Sequence, residues 1–182
     1  MDVLHAIKHN QITAQPTVAE LVDAHGDSVY HFCRSLTFSK ETADDLFQET
    51  FLKALEQMPK VIASGDPRGF LLSISAYIWK SWKRKHTRRD RLAPSEPLTD
   101  AVSGGTSVEE EMLEQEQTRA VRRLIDTLPD KLKIPVVLYY ALDMRVPDIA
   151  LSLKIPAGTV KSRLFKARKI IEKGLTEYEN ND

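Results

Sequence analysis

The sequence has one cysteine, few glycines, no net charge and no long apolar run, and each shortage excludes something. Cys33 stands alone in 182 residues, so no intrachain disulfide exists and nothing requires an oxidising compartment. No apolar stretch reaches the roughly 18–20 residues that cross a bilayer. The opening MDVLHAIKHNQ has no basic leader followed by an apolar core, so no signal peptide is read there. The expected location is the cytoplasm, with no direct membrane insertion. Seven glycines and the absence of period-two alternation argue against a β-rich fold. There is no glycine-rich phosphate loop, no nucleophile elbow and no spaced metal-ligand set. His25, His31 and Cys33 share one stretch, but Cys33 falls on an apolar stripe and reads as a buried thiol. No catalytic residue, metal or cofactor is therefore expected, and the chain reads as a binder and not an enzyme.

What is present is charge, sorted by region. The totals cancel, 26 Lys and Arg against 26 Asp and Glu. Residues 92–127 nevertheless hold 3 cations and 8 acids, while KSWKRKHTRRDR at 80–91 holds seven cations and one acid. Between Lys161 and Lys173 lie six cations and one carboxylate. Two basic foci flank an acidic middle.

Apolar spacing is helical almost throughout, which predicts an all-α protein of two small helical domains joined by a flexible linker. Val18, Leu21, Val22, Val29, Phe32, Cys33 and Leu36 follow steps of mostly three and four. Thr42 and Asp45 resemble a capping pair opening a helix to Met58, and Asp66 with Pro67 opens a third helix into the basic cluster. Residues 1–16 form a tail and 17–91 the first domain. LAPSEPLTDAVSGGTS, 92–107, is punctuated by Pro, Gly and Ser and reads as a tether. The second domain, 108–182, opens on a capping pair at Ser107 and Glu110 and includes a helix carrying Pro135. It ends on a short helix from about Pro147 to Leu153, a KIPAG turn and a basic helix over 157–174, the outline of a helix-turn-helix.

Helical wheels assign faces. In the last helix Val160, Leu164, Ala167 and Ile171 share the core side; Lys161, Ser162, Phe165, Lys166 and Lys169 share the other. Phe165 is an aromatic ring among cations. Such a face suits a major groove, where lysines reach base acceptors or phosphates and the ring meets a thymine methyl. The plainer alternative packs Phe165 on a neighbouring helix above a solvated face. In the third helix Phe70, Leu71, Ile74, Ile78 and Trp82 form the expected core stripe, opposite Ser73, Tyr77, Lys80 and Arg84. Tyr77 among cations suits stacking on unpaired bases; the alternative is an ordinary surface tyrosine. In the second helix Ala43, Phe47, Phe51, Ala54 and Met58 point inward, and Asp45, Gln48, Glu49, Leu52 and Glu56 outward. An exposed leucine framed by acids reads equally as a protein-binding patch or as unremarkable surface.

The stretch ADDLFQETFLKAL (43–55), the basic third helix, and IPAGTVKSRLFKAR (155–168) with LP at 128–129 together resemble the extracytoplasmic-function class of bacterial RNA polymerase sigma factors, within the sigma-70 family. The resemblance spans about residues 17–175. It implies a transcription initiation factor, often tied to stress response, that binds core RNA polymerase through the β′ clamp helices and β flap, and binds promoter DNA. It also implies an anti-sigma partner, membrane-anchored in some cases. The polymerase-binding surface it implies falls on Asp45, Leu46, Gln48, Glu49 and Leu52. The −10 element falls to Ser73, Tyr77, Lys80, Lys83 and Arg84, and the −35 element to Thr159, Lys161, Ser162, Arg163, Phe165, Lys166 and Lys169. The chain departs from the family pattern where it reads Phe70, Ser75, Tyr77 and Ser81. Two other readings stay open: a stand-alone helix-turn-helix regulator, which usually dimerises on two half-sites, and a single-strand-binding adaptor built on the Tyr77 helix alone. The acidic middle further suggests that the free chain is compact and masks its own basic surfaces.

Overall fold

The computed structural model describes residues 16–92 and 116–179. The tether from Ala93 onward and the Ser107–Glu110 capping pair lie outside the described residues. Among the described residues there are eight helices and no strand, and each boundary has a local cause.

Helix α1, Val18–Thr37, opens on a capping box: the Glu20 amide donates to Thr17 Oγ1 (3.2 Å) and the Thr17 amide donates to Glu20 Oε2 (2.7 Å). It stops at Phe38, whose φ of 55° is left-handed and whose amide closes on the Arg34 carbonyl at 2.9 Å. Helix α2, Lys40–Glu56, is capped by Ser39, which accepts from the Thr42 amide at 3.3 Å. The start expected near Thr42 is thus earlier. The Thr42 amide is already bound by the hydroxyl three residues before it, so Thr42 lies inside the first turn. The expected end at Met58 is also displaced, because a new short helix α3, Met58–Ala63, begins there with Pro59 in its first turn. After a turn carrying Gly65 at φ 69°, α4 runs Pro67–Leu92. Asp66 caps it as expected, accepting from the Gly69 amide at 2.9 Å.

Helices α1, α2 and α4 pack together over Leu21, Val29, Phe32, Leu36, Ala43, Leu46, Leu71 and Ile78, all buried. Two hydroxyls inside this core are paired with each other. Thr50 Oγ1 and Ser75 Oγ stand 3.0 Å apart across α2 and α4, and each hydroxyl also reaches the carbonyl four residues earlier. Trp82, expected in the core, is only half-buried; Trp79 is the buried indole of α4, at 8% exposure. The reason is that α4 is covered on two sides, so its apolar surface is wider than one stripe.

The second unit comprises α5, Glu116–Thr127, α6, Asp130–Tyr140, α7, Val146–Leu153, and α8, Ala157–Glu179. Helix α8 packs on the other three. At Gly174 a Cβ would lie 2.3 Å from Leu124 Cδ2, so glycine permits the approach of α5 to α8. Pro135 sits buried within α6, where it removes one backbone donor without stopping the helix. The two units also touch, α7 against α4 and α6 against α1.

Burial pushes the Cys33 thiol up to about 12. Because the unfolded thiol ionises near 9, this group's contribution to stability is complete below that pH and is lost as pH rises towards 12. Native protein at pH 8 should react with a thiol reagent about a thousandfold more slowly than urea-unfolded protein, measured by thiolate release at 412 nm on the order of minutes to hours. Equal rates would place Cys33 at the surface.

Candidate nucleic-acid interface

The α7–α8 pair is built around a tight turn. Lys154 ends α7 in the left-handed conformation (φ 52°), and the Ile155 amide returns to the Ala150 carbonyl at 3.0 Å. The Pro156 carbonyl then accepts from the Thr159 and Val160 amides, at 2.8 and 3.2 Å, and starts α8. Arg145, before α7, is locked on Asp148 through two contacts of 2.8 and 3.3 Å.

Val160, Leu164 and Ala167 are buried beside Ile149, which fixes the rotation of α8. That rotation leaves Lys161, Ser162, Phe165, Lys166 and Lys169 exposed, with Thr159 and Arg163 half-buried at the edge. Phe165 does not pack away on a neighbour. It is 57% exposed, with the Lys169 ammonium 4.9 Å from its ring centre. Ser162 donates its proton to the Thr159 carbonyl at 3.0 Å, leaving oxygen lone pairs outward. Sequence reading missed Arg168, whose Nε donates to the Tyr140 hydroxyl at 2.6 Å and whose guanidinium lies near the Tyr139 and Tyr140 rings. Its partner is 28 residues away, a separation no helical wheel spans.

On α4, Tyr77 is 62% exposed and Arg84 is exposed. Ser73 is half-buried, its hydroxyl donating to the Phe70 carbonyl at 2.7 Å. Lys80 and Lys83 are turned towards the second unit. Burial, then the Arg163 charge, pushes the Lys80 ammonium below its ordinary range. Lys83 lies 3.5 Å from Asp130 and 5.3 Å from the centre of the Trp79 ring. The expected cationic track is thus present but partly covered.

On α2, Asp45, Gln48, Glu49 and Leu52 share the exposed face, Leu52 at 63%. Leu46 does not belong to it. Leu46 has zero exposure and continues the Ala43, Thr50, Ala54 core stripe at steps of three and four, so its side chain cannot contact a partner. Two neighbours escaped the sequence reading. Leu55 is 57% exposed beside Leu52, and the Trp82 indole N–H donates to Glu49 Oε2 at 3.0 Å. No cluster of three or more metal-ligating side chains occurs among the described residues, and no described helix is long and apolar enough to cross a membrane.

An acidic helix face and a basic helix-turn-helix on separate helical units define a DNA-binding protein of the transcription-factor class. Residues 21–89 match the sigma-70 region 2 family and residues 118–171 match sigma-70 region 4. The ECF RNA polymerase sigma-E factor of Haemophilus influenzae is 31% identical over 141 residues, 74% of this chain and 75% of that protein. The ECF sigma factor SigW of Bacillus subtilis is 26% identical over 97% of this chain and 98% of its own length. Among solved structures, the sigma factor RpoE in complex with the anti-sigma factor NepR from Bartonella quintana matches with a TM-score of 0.65 at 20% identity, covering 87% of this chain and 96% of that one. The chain belongs to the extracytoplasmic-function RNA polymerase sigma factors of the sigma-70 family. Its function is promoter-specific initiation of transcription with RNA polymerase.

Burial separates Leu46 from its neighbours in a measurable way. Leu46→Ala should cost about 2–5 kcal/mol of folding stability, whereas Gln48→Ala and Leu52→Ala should stay within about 0.5 kcal/mol. Urea denaturation followed by circular dichroism distinguishes them; a neutral Leu46→Ala would return that side chain to the surface.

Proposed function

We propose that the two units divide the work of initiation, with polymerase supplying the distance between them. The outer face of α2, centred on Asp45, Gln48, Glu49 and Leu52, docks on the β′ clamp helices. Tyr77 and Arg84, with Ser73, Lys80 and Lys83, engage the −10 element once its strands separate. The second unit lies by the β flap and presents Lys161, Ser162, Phe165 and Lys166 to the −35 duplex, with Thr159, Arg163 and Lys169 at the margins. No bond is made or broken by the chain itself; it contributes binding free energy that favours the open promoter. The observation that carries this reading is the exposed Phe165 held among cations on a helix whose opposite face is buried. A stand-alone regulator gives no role to the region 2 match over 21–89.

Charge explains why polymerase is needed. The chain is neutral overall, and at physiological salt the Debye length is about 8 Å, so each basic focus attracts phosphates only at contact range. Two weak contacts become strong when held at the right spacing, because the second binding event is then intramolecular. Two solved relatives of the fold are anti-sigma complexes, RpoE with NepR and CnrH with the cytosolic domain of CnrY. An anti-sigma protein competing for the α2 and α8 faces is the matching regulatory partner for this chain.

Lys161→Ala and Phe165→Ala should each weaken holoenzyme binding by about 1–3 kcal/mol on a promoter with its −35 element and much less on one with that element scrambled. Equal losses on both templates would reduce these residues to general attraction. Tyr77→Ala should leave duplex binding intact and lower permanganate reactivity of −10 thymines, since a stacking ring acts only on unpaired bases. Glu49→Lys should abolish initiation while sparing the weak DNA binding of the chain alone. The governing measurement is promoter affinity with and without core polymerase at matched salt; tight, selective binding by the free chain would overturn the division of labour.

A further inference from the structure

The C-terminal half of α4 turns a face of mixed chemistry towards a cleft. Trp79, Trp82, Lys83 and His86 recur at steps of three and four, so they share one side of the helix. An aromatic series at that spacing is ordinarily core, but this one is incompletely covered: Trp82 is half-buried and His86 exposed. The start of α2, at Thr42 and Asp45, and the end of α5, at Asp126, complete a cleft of about 790 Å³. That volume falls within the roughly 300–1,000 Å³ of small-molecule sites. Both tryptophans of the chain line it. Trp79 is the unusual group. It is 8% exposed, and its indole N–H has no hydrogen-bond acceptor among the described residues. The ammonium groups of Lys83 and Lys133 each lie 5.3 Å from the centre of its ring, so the ring serves cations and the N–H is left over. Phenylalanine would offer a ring to both cations without burying an orphan donor.

We propose that this cleft binds a free nucleoside phosphate, with its base against Trp82 and accepting the Trp79 indole proton, and its phosphates at Lys85 and His86. Each part of the lining calls for one part of that ligand. The buried donor needs an acceptor atom, which the ring nitrogens and carbonyls of a base supply. The Trp82 N–H is already given to Glu49 Oε2 at 3.0 Å, so Trp82 offers ring surface, which a planar base covers by stacking. Lys85 and His86 line the cleft and are exposed, placed for phosphate oxygens. Of the two carboxylates in the lining, Asp126 is held by the Lys133 ammonium at 2.6 Å. Asp45 is exposed and suits an exocyclic amino group of the base. A bare anion would leave both indoles unused and meet the Asp45 charge. An uncharged aromatic would leave Lys85 and His86 unused. The site stands apart from the division of labour proposed above, because its binding is read on the chain without polymerase or promoter.

The test uses the full chain and isothermal titration calorimetry with ATP, GTP, inorganic triphosphate, adenosine and guanosine. At least one nucleotide should bind saturably, and its nucleoside and inorganic triphosphate at least about tenfold more weakly. Because the cleft holds both tryptophans, the same titration should change their emission. Trp79→Phe should lower nucleotide affinity about threefold to tenfold while keeping the thermal midpoint at or above that of wild type, since it removes a buried donor that has no partner without ligand. Lys85→Ala with His86→Ala, both on exposed positions, should weaken the nucleotide and leave the nucleoside unchanged, which keeps the proposal testable should Trp79→Phe fail to fold. Absence of saturable binding by either nucleotide, inorganic triphosphate binding as tightly as the nucleotide, or unchanged affinity in a folded Trp79→Phe would overturn the proposal. So would a short single strand of DNA that displaces the nucleotide and binds more tightly, which would give the cleft to a promoter strand.

Discussion

Helix α4 carries the constraint on which the rest of the structure depends: it must satisfy three environments at once. Leu71, Leu72, Ser75 and Ile78 are buried in the three-helix unit. Gly69 and Trp79 meet the second unit, at Ser152 and Lys133. Among its described side chains Tyr77 and the run from Arg84 to Arg88 are left exposed to water. Each demand restricts residue type. Ser75 is small and finds its hydrogen bond on Thr50, Gly69 has no side chain to obstruct α7, and Trp79 offers a ring face to a cation. The function proposed for the helix lies in what remains.

The same economy of surface applies to charge. Neutral overall, the chain concentrates cations on α4 and α8 and carboxylates on α2, so attraction to nucleic acid is local and the proposed contact with a protein partner uses the opposite sign. Glu49 links these regions, since it lies on the proposed polymerase face and accepts a hydrogen bond from Trp82 of α4. One contact thus joins the carboxylate proposed to dock and the helix proposed to open the strands, while the helix proposed to read the −35 element belongs to the other unit.

Local patterns were legible wherever the physics is local. Capping of α4 by Asp66 depends on a carboxylate three residues before an amide, and the buried face of α8 depends on a repeat of about one turn. Readings failed where a neighbour from elsewhere in the chain decided the outcome. Leu46 was assigned by family position to an outer face, but packing of α2 on α1 and α4 rotates it inward. Trp82 continues an apolar series along α4, yet coverage of α4 from a second side makes Trp79 the enclosed indole.

By itself the sequence determined an all-helical fold, two basic foci around an acidic middle, and a basic last helix with an aromatic among its cations. Those properties follow from composition and from spacing within a turn or two, so they require no knowledge of partners across the fold. The tertiary structure alone decided which lysines are available. Lys80, Lys83 and Lys133 are identical in chemistry, but two face the second unit and one is sealed between both. The solvation of an ammonium depends on everything within several ångströms in space, and that neighbourhood is assembled from α1, α4, α5 and α6 together.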